Sequence, residues 1–285
     1  MIKCPNTECC TDKRLLFIKD GYPVIDCITC DRRFSEITES KSHLETVYSD
    51  KYFFDGKDGY PNYLVEREIL INYGIYFANK MERNIKPGKI LDVGCAAGFI
   101  LKGFENSGWK GYGIEPNETM ASFGRNELKL NIHTGSLEDF HTDIRFDLIT
   151  LIQVIGHFYD VDKALNNISK LLITNGLILV ESWNMNSLIA RIFGKFWHEY
   201  SPPSVINWFS EKSLNKLFTD YGFELVDSGY PAKRINLKHA LSLFDENSPD
   251  IPFKKIIFGF LVKSIGKMIV YYPPVDIKWY VFRKI

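Results

Sequence analysis

The sequence lacks an excess of charge of either sign, because 35 lysine and arginine residues balance 35 aspartate and glutamate residues. It also contains no Lys/Arg-rich tract, which makes a nucleic-acid substrate or partner unfavoured, since such proteins usually present a basic face. No apolar run approaches the length of a membrane span, and the first residues carry no apolar stretch typical of a signal peptide. We therefore expect a globular cytoplasmic protein without a transmembrane segment.

Cysteine is scarce after the first thirty residues, since Cys95 is the single cysteine in the rest of the sequence. The other cysteines are Cys4, Cys9, Cys10, Cys27 and Cys30. Cys27-Ile28-Thr29-Cys30 is a CxxC knuckle, and Cys4 with Cys9 supplies a second pair. Four thiolates at such spacings suit tetrahedral Zn²⁺, and residues 14–26 alternate as a hairpin would. The pattern predicts a zinc ribbon over residues 1–40, stabilised by structural zinc.

Other interpretations of these cysteines remain open. A CxxC pair also serves redox chemistry, but that motif normally lies at a strand-to-helix junction. Disulfides suit exported proteins, which the missing leader disfavours. Whether Cys9 or Cys10 is the fourth zinc ligand stays undecided.

A cofactor site is indicated by Ile90-Leu91-Asp92-Val93-Gly94-Cys95-Ala96-Ala97-Gly98, where an apolar run ends in an acid and a small-residue turn. Gly94 and Gly98 remove side chains, so that a ligand can lie against the backbone. A second apolar segment ends in Glu115 about twenty residues later, the distance at which doubly wound folds place a ribose-binding acid. Pro116 follows it directly.

Strand and helix patterns alternate from residue 89 to 181 and predict an α/β fold with a parallel sheet covered on both faces. Apolar runs at 146–152 and 177–181 suit buried strands. Helical spacing covers 163–172 and ends at Asn175-Gly176, and a second helix begins at the Ser210 cap.

These motifs resemble the class I S-adenosylmethionine (SAM) dependent methyltransferases, because the acid-x-Gly-x-x-x-Gly spacing at 92–98 differs from the Gly-x-Gly-x-x-Gly of dinucleotide enzymes. The resemblance implies a Rossmann-like seven-stranded sheet with an antiparallel last strand at 276–283. It places the methionine part of SAM at Gly94 and the ribose at Glu115. The adenine contact falls on Ser136, the Leu137 amide, Glu138 or Asp139. The residues that it assigns to the cofactor are Asp92, Gly94, Cys95, Gly98, Glu115, Pro116, Ser136, Leu137, Gln153 and Tyr63. Cys95 also has a simpler interpretation, as a small packing residue.

The segment 153–160 follows the fourth strand and resembles a stretch that lines the site in small-molecule methyltransferases. The two acids usual there are replaced by Gln153 and Gly156. His157 is the candidate general base, since an unperturbed pKa near 6.5 lets histidine accept a proton at neutral pH. Substrate positioning and helix packing are alternative roles for it.

Residues 41–88 form a predicted aromatic lid and leading helix, with Tyr60 and Tyr63 as lid residues and a helix from Leu64 to about Arg83. Packing of these aromatics on the first helix is the alternative. Residues 89–285 then form the methyltransferase domain, with insertions at about 184–210 and 231–275.

The first insertion is rich in aromatic residues and proline, which suggests an acceptor pocket. Its order resembles a bacterial subgroup that methylates small molecules and sugars of surface glycans, often with a leading zinc ribbon. That implies a sugar or nucleotide-sugar acceptor and a role in polysaccharide biosynthesis. Val205 and Ile206 stand where the subgroup has a histidine.

Residues 251–272 fit an amphipathic helix with four lysines, which either docks on the domain or touches an anionic membrane. Two other functions remain open for the whole chain. One is a tRNA or protein methyltransferase that uses the ribbon for recognition. The other is a non-catalytic SAM-binding protein, which the loss of acids at Gln153 and Gly156 would favour. The oligomeric state is not predicted.

Overall fold

The computed structural model describes residues 12–37, 47–54, 63–232, 234–236, 269–271 and 276–285. In chain order its strands are β1 (Lys13–Lys19), β2 (Tyr22–Cys27), β3 (Arg33–Ser35), β4 (Lys89–Val93), β5 (Lys110–Glu115), β6 (Ile132–Thr134), β7 (Phe146–Ile152), β8 (Leu172–Trp183), β9 (Asn207–Trp208), β10 (Phe223–Gly229), β11 (Arg234–Asn236), β12 (Ile269–Tyr271) and β13 (Ile277–Lys284). The α-helices are α1 (Asp50–Phe54), α2 (Arg67–Met81), α3 (Phe99–Asn106), α4 (Glu118–Glu127), α5 (Val161–Leu171), α6 (Leu188–Phe193) and α7 (Glu211–Asp220).

A seven-stranded sheet forms the centre, in the order β10-β13-β8-β7-β4-β5-β6. β8, β7, β4, β5 and β6 are parallel to one another, whereas β13 is antiparallel to both β10 and β8. The predicted seven-stranded Rossmann-like sheet with helices is confirmed. Because parallel strands end at one edge, the segments after β4, β5, β7 and β8 share that edge.

Apolar layers cover both faces of this sheet. Neighbouring residues such as Ile90 and Leu91 in β4 belong to different buried clusters, since successive side chains of a strand point to opposite faces. One layer packs against α2 and α3, with Phe77 and Phe104 fully buried. The other packs against α5 and α7 through Leu165 and Leu217. The continuous apolar runs of the sequence are explained by this two-sided burial.

The fifth parallel strand is longer than the sequence pattern indicates. Helix α5 ends at Leu171, and β8 begins at Leu172 rather than at the predicted residue 177. Leu172 is 2% exposed and pairs with Phe146 of β7, so packing draws it into the sheet. Asn175, taken as part of a helix stop signal, lies within the strand with φ of 61°. The predicted Ser210 cap of α7 is confirmed as a capping box.

The N-terminal strands do not stand apart from the rest of the chain. β1, β2 and β3 form an antiparallel meander, and β9 of the 184–210 insertion adds a fourth strand next to β3. The Ser35 amide extends the pairing by donating to the Ile206 carbonyl at 2.8 Å. The predicted hairpin over 14–26 is present, and it is anchored on the first insertion.

Part of the second insertion is described. β11 and β12 pair antiparallel, with Arg234 opposite Tyr271. The predicted amphipathic helix over 251–272 is wrong at residues 269–271, because backbone pairing with β11 makes them a strand; the preceding part lies outside the described residues. In the described part of the chain, no helix has both the length and the apolar character needed to cross a membrane.

Candidate active site

The turn after β4 requires its glycines. Gly94, Ala96 and Gly98 all have positive φ values, of 64°, 47° and 79°. A Cβ on Gly94 would also lie 2.8 Å from a methyl group of Val154, so this turn touches the segment that follows β7. The backbone therefore approaches closely at the point where the sequence predicts the cofactor.

Asp92 is the last residue but one of β4, Glu115 is the last residue of the adjacent β5, and each is 3% exposed. Asp92 accepts a hydrogen bond of 2.6 Å from the Thr150 hydroxyl. Burial raises the pKa of Asp92 to about 7, and the hydrogen bond from Thr150 opposes that rise. Near neutral pH this carboxyl is therefore poised between its two protonation states, and a cationic ligand would favour its ionised form.

Glu115 is oriented by two backbone amides. The Ala96 N–H donates to Oε2 and the Asn117 N–H to Oε1, both at 2.8 Å. Burial raises the pKa of Glu115 to about 7, against the effect of these amides. Each oxygen keeps lone-pair capacity, which suits a ligand diol. Pro116, between Glu115 and the donor Asn117, is half-buried.

Cys95 lies beneath the turn. It is 4% exposed, and a Cβ on Gly113 of β5 would meet its sulfur at 2.6 Å. Burial raises the pKa of its thiol well above the usual value, which keeps the sulfur protonated and a poor nucleophile. The packing interpretation of Cys95 is supported by this position.

The four candidates for the adenine contact lie in the segment after β6 and differ in their exposure. Ser136 is half-buried and Leu137 is buried. Asp139 is exposed and forms an ion pair of 2.6 Å with Lys163. Glu138 is 2% exposed, and burial raises its pKa to about 7, while backbone hydrogen bonds from itself and Asp160 lower it. The exposed Asp139 is the weakest of the four because it is paired with Lys163, and the adenine contact stays a prediction.

His157 lies in a short 3-10 helix, Ile155–His157, directly after β7. Its Nδ1 is 2.9 Å from the Ser204 carbonyl oxygen and 2.8 Å from the Tyr48 hydroxyl oxygen. The Tyr48 hydroxyl itself donates to the Ser204 carbonyl at 2.9 Å. A carbonyl can only accept, so the geometry favours the tautomer with the proton on Nδ1 and the basic lone pair on Nε2.

Gln153 is held by a buried acid at the carboxyl end of the sheet. It adopts a φ of 58°, and its Nε2 donates to Glu181 Oε1 at 2.8 Å. The Tyr73 hydroxyl donates to the other oxygen of Glu181, which is fully buried. Gln153 therefore has a structural role, and its contact with the cofactor stays a prediction.

Tyr63 packs next to the cofactor turn. It is 5% exposed and stacks on Phe99, the first residue of α3, with ring centroids 5.5 Å apart and an interplanar angle of 6°. Phe53 contacts it edge-on. This contact brings Tyr63 to the start of α3, and its role as a lid residue stays a prediction. Tyr60 lies outside the described residues.

Three further residues of this edge were missed from the sequence. Tyr48 reaches His157 and also accepts, through its carbonyl, a 2.8 Å hydrogen bond from Asn117 Nδ2. Glu181 carried a usable signal, since it is an acid at the end of an apolar strand, as Asp92 is. Tyr48 and Asn117 carried none, because no spacing rule connects residues so distant in the chain.

The structure describes two of the four predicted zinc ligands, Cys27 and Cys30. Cys27 and Cys30 are buried and form a tight turn, in which the Asp31 amide donates to the Cys27 carbonyl at 3.1 Å. Cys4, Cys9 and Cys10 lie outside the described residues. Within the described ranges no group of three or more histidine, cysteine or acidic residues could hold a metal ion. The zinc site therefore stays a prediction.

Comparisons with known proteins agree with this geometry. A family model described as "Methyltransferase domain" matches residues 72–228. A ubiquinone biosynthesis O-methyltransferase of Pelagibacter ubique is 25% identical over 205 residues, which cover 64% of this chain and 84% of that protein. One from Rhodopseudomonas palustris is 29% identical over 118 residues, covering 38% of this chain and 47% of the relative, about half its length.

Solved structures share the fold. Magnesium protoporphyrin IX methyltransferase of Synechocystis, with bound SAH, has a TM-score of 0.54 at 13% identity, covering 85% of this chain and all of that one. A SAM-dependent methyltransferase of Archaeoglobus fulgidus has a TM-score of 0.52 at 16% identity, covering 78% of this chain and 99% of the other.

Proposed function

Because the chain belongs to the methyltransferase-domain family and is a SAM-dependent methyltransferase, we propose that it methylates a hydroxyl oxygen of a small organic acceptor. The observation that carries this proposal is the position of His157 at the end of β7, with its Nδ1 beside the Ser204 carbonyl. A hydroxyl is a weak nucleophile until it loses its proton, so a base at this position is useful to O-methylation in particular.

The donor set of the site fits SAM. Glu115, with its two oxygens held by backbone amides, would hold the ribose hydroxyls, with Pro116 beside them. The turn residues Gly94, Cys95 and Gly98, together with Asp92, would lie against the methionine part. SAM supplies an electrophilic methyl group when bound. Ser136 and Leu137 would contact the adenine, while Tyr63 and Gln153 would close the site from the sides.

His157 would take the acceptor proton on Nε2. The Nδ1–H would keep donating to the Ser204 carbonyl, and this hydrogen bond would fix the ring and stabilise the imidazolium that forms. Tyr48 would hold the same carbonyl and keep water from this side of the ring. Orientation of the acceptor and exclusion of water supply the rest of the rate enhancement.

The acceptor remains the finer part of the proposal. The relatives named above act in ubiquinone biosynthesis as O-methyltransferases, which supports a hydroxylated ring compound as acceptor. The sugar or nucleotide-sugar acceptor predicted from the sequence also offers a hydroxyl and stays a prediction, as do polysaccharide biosynthesis and the cytoplasmic location. A structural zinc ion in the N-terminal segment is retained as a proposal, supported by the buried turn at Cys27 and Cys30.

Two measurements test this function. Calorimetric titration with S-adenosylhomocysteine should show micromolar binding that Glu115→Ala loses and the exposed neighbour variant Glu118→Ala keeps. Methyl transfer should then be measured on catechols and on nucleotide sugars. Transfer to catechol oxygen supports O-methylation of a hydroxylated ring, whereas transfer confined to sugar hydroxyls keeps O-methylation and assigns the predicted sugar acceptor. Transfer only to nitrogen or carbon would overturn O-methylation.

A further inference from the structure

An apolar surface projects from the first insertion. Helix α6 and the short 3-10 helix after it, Gly194–Phe196, form what we call the apolar ridge, residues 188–196. Its exposed large side chains are Leu188 at 69%, Ile192 at 67%, Phe193 at 42% and Phe196 at 54%. Contiguous exposed residues of this size are uncommon on a protein that is surrounded by water alone, and they mark interaction sites.

The ridge is firmly anchored on its inner side. Ala190 is 4% exposed and packs in one cluster with Met185 and Trp197. The Ser187 hydroxyl caps α6 by accepting from the Ala190 amide at 3.1 Å. The outward apolar side chains therefore belong to an ordered helix whose other face is already buried.

The charge of the ridge has a single sign. Arg191 and Lys195 are exposed between the apolar residues, and the sequence contains no acid from 185 to 198. The Lys195 ammonium lies 5.3 Å from the centroid of the Phe196 ring. Alternating basic and apolar side chains suit the interface of an anionic bilayer, where the cations meet lipid phosphates and the apolar groups enter the acyl boundary.

We propose that the apolar ridge binds the headgroup layer of an anionic membrane and so brings the active site to a membrane-held acceptor. The ridge follows the carboxyl end of β8, the same edge that carries the cofactor turn and His157. The part of this inference that concerns the acceptor rests on the proposed function. The part that concerns lipid binding does not.

Charge argues against two other occupants. A symmetric contact with a second copy would bring the same patch to both sides and set Arg191 and Lys195 against their equivalents. Residues 251–268 carry four lysines and no acid, so their charge has the same sign as that of the ridge. They would strengthen the attraction to an anionic membrane rather than neutralise the charge of the ridge.

The test is flotation of the full chain with vesicles of phosphatidylcholine, either alone as the neutral membrane or with about 30% phosphatidylglycerol as the anionic membrane. The apolar variant is Leu188→Ser/Ile192→Ser/Phe196→Ser, and the charge variant is Arg191→Glu/Lys195→Glu. Control variants away from the ridge are Ile173→Ser/Leu225→Ser, at 36% and 42% exposure, and Arg83→Glu/Lys86→Glu, two exposed cations that precede β4. All these side chains are on the surface, and S-adenosylhomocysteine binding checks that each variant is folded.

The wild type and both controls should bind anionic vesicles and leave neutral ones largely unbound. The charge variant should bind at least about 25-fold more weakly, since the loss of each basic residue near the surface costs roughly fivefold and the two new carboxylates repel the anionic lipid. Equal binding by the ridge variants and the wild type overturns the inference, as does the absence of vesicle binding. A dimer that the apolar variant converts to monomers would assign the ridge to a second copy instead. Methyl transfer to a soluble acceptor is measured separately, so its failure counts only against the proposed function.

Discussion

The His157 Nδ1 and the Tyr48 hydroxyl lie 2.8 Å apart, although 109 residues separate them in the chain. The same tyrosine is tied through its backbone carbonyl to Asn117, the residue after Glu115-Pro116. Tyr48 thus bridges the segments that follow β5 and β7. It connects the proposed ribose-binding acid with the proposed base.

The first prediction concerns these two residues. His157→Ala should lower kcat about 100-fold or more, since a general base contributes that much, without changing the affinity for S-adenosylhomocysteine. Tyr48→Phe keeps the ring but loses the hydroxyl, so we expect a drop of about tenfold or less. Steady-state kinetics across pH measure both effects. His141→Ala, an exposed histidine, is the control. Unchanged kcat in His157→Ala would exclude the base.

The second prediction uses the raised pKa of Asp92. In the folded protein this pKa is about 7 against an ordinary value of 3.8, so the folded state prefers the protonated acid. Its favourable effect on stability is fully present below pH 4 or so and is lost as pH rises through about 7. Asp92→Asn, which can still accept from Thr150, removes this loss.

Thermal melting without ligand tests that sign. At pH 8 the Asp92→Asn protein should be more stable than the wild type by about 1–3 kcal/mol, and near pH 4 the difference should be small. The variant should also bind S-adenosylhomocysteine more weakly. A difference in melting temperature that does not depend on pH would contradict the assigned cause.

The third prediction concerns the bridge between the N-terminal strands and the first insertion. Arg33 donates to both oxygens of Asp26, at 2.6 and 3.1 Å, and to the Tyr200 hydroxyl. Arg33→Ala should therefore destabilise the protein by about 1–3 kcal/mol in denaturant unfolding. Arg14→Ala is the matched control, because exposed Arg14 contacts the same Asp26 at 3.3 Å and should change stability by under about 0.5 kcal/mol. Equal effects would refute the bridging role.

The fourth prediction is the metal content of the full chain. Elemental analysis should find one zinc ion for each chain, and Cys27→Ser and Cys30→Ser should lose it. Separate Cys9→Ser and Cys10→Ser variants would identify the remaining ligand. Cys95→Ser, at the cofactor turn, should keep the metal. Zinc-free but fully folded protein would rule out the ribbon.

Much of the candidate site was predictable because it depends on short-range patterns. Asp92, the two turn glycines and Glu115 lie within one strand-turn-helix-strand unit. There the apolar runs predict the strands, and the glycines allow the positive φ values that the turn needs. The extended β8 was not predictable, because Leu172 joins the sheet through packing on Phe146 rather than through its own propensity. The same holds for residues 269–271, whose strand depends on pairing with β11.

The sequence by itself determined the parallel α/β sheet and the acid-glycine turn, since the period of apolar residues and the backbone freedom of glycine act locally. Only the tertiary structure decided which distant groups meet: Tyr48 with His157, Glu181 with Gln153, and the N-terminal strands with β9. Those contacts depend on the order of strands in the sheet and on which loops share an edge. No spacing along the chain encodes them, because they form only when the sheet has brought the segments together.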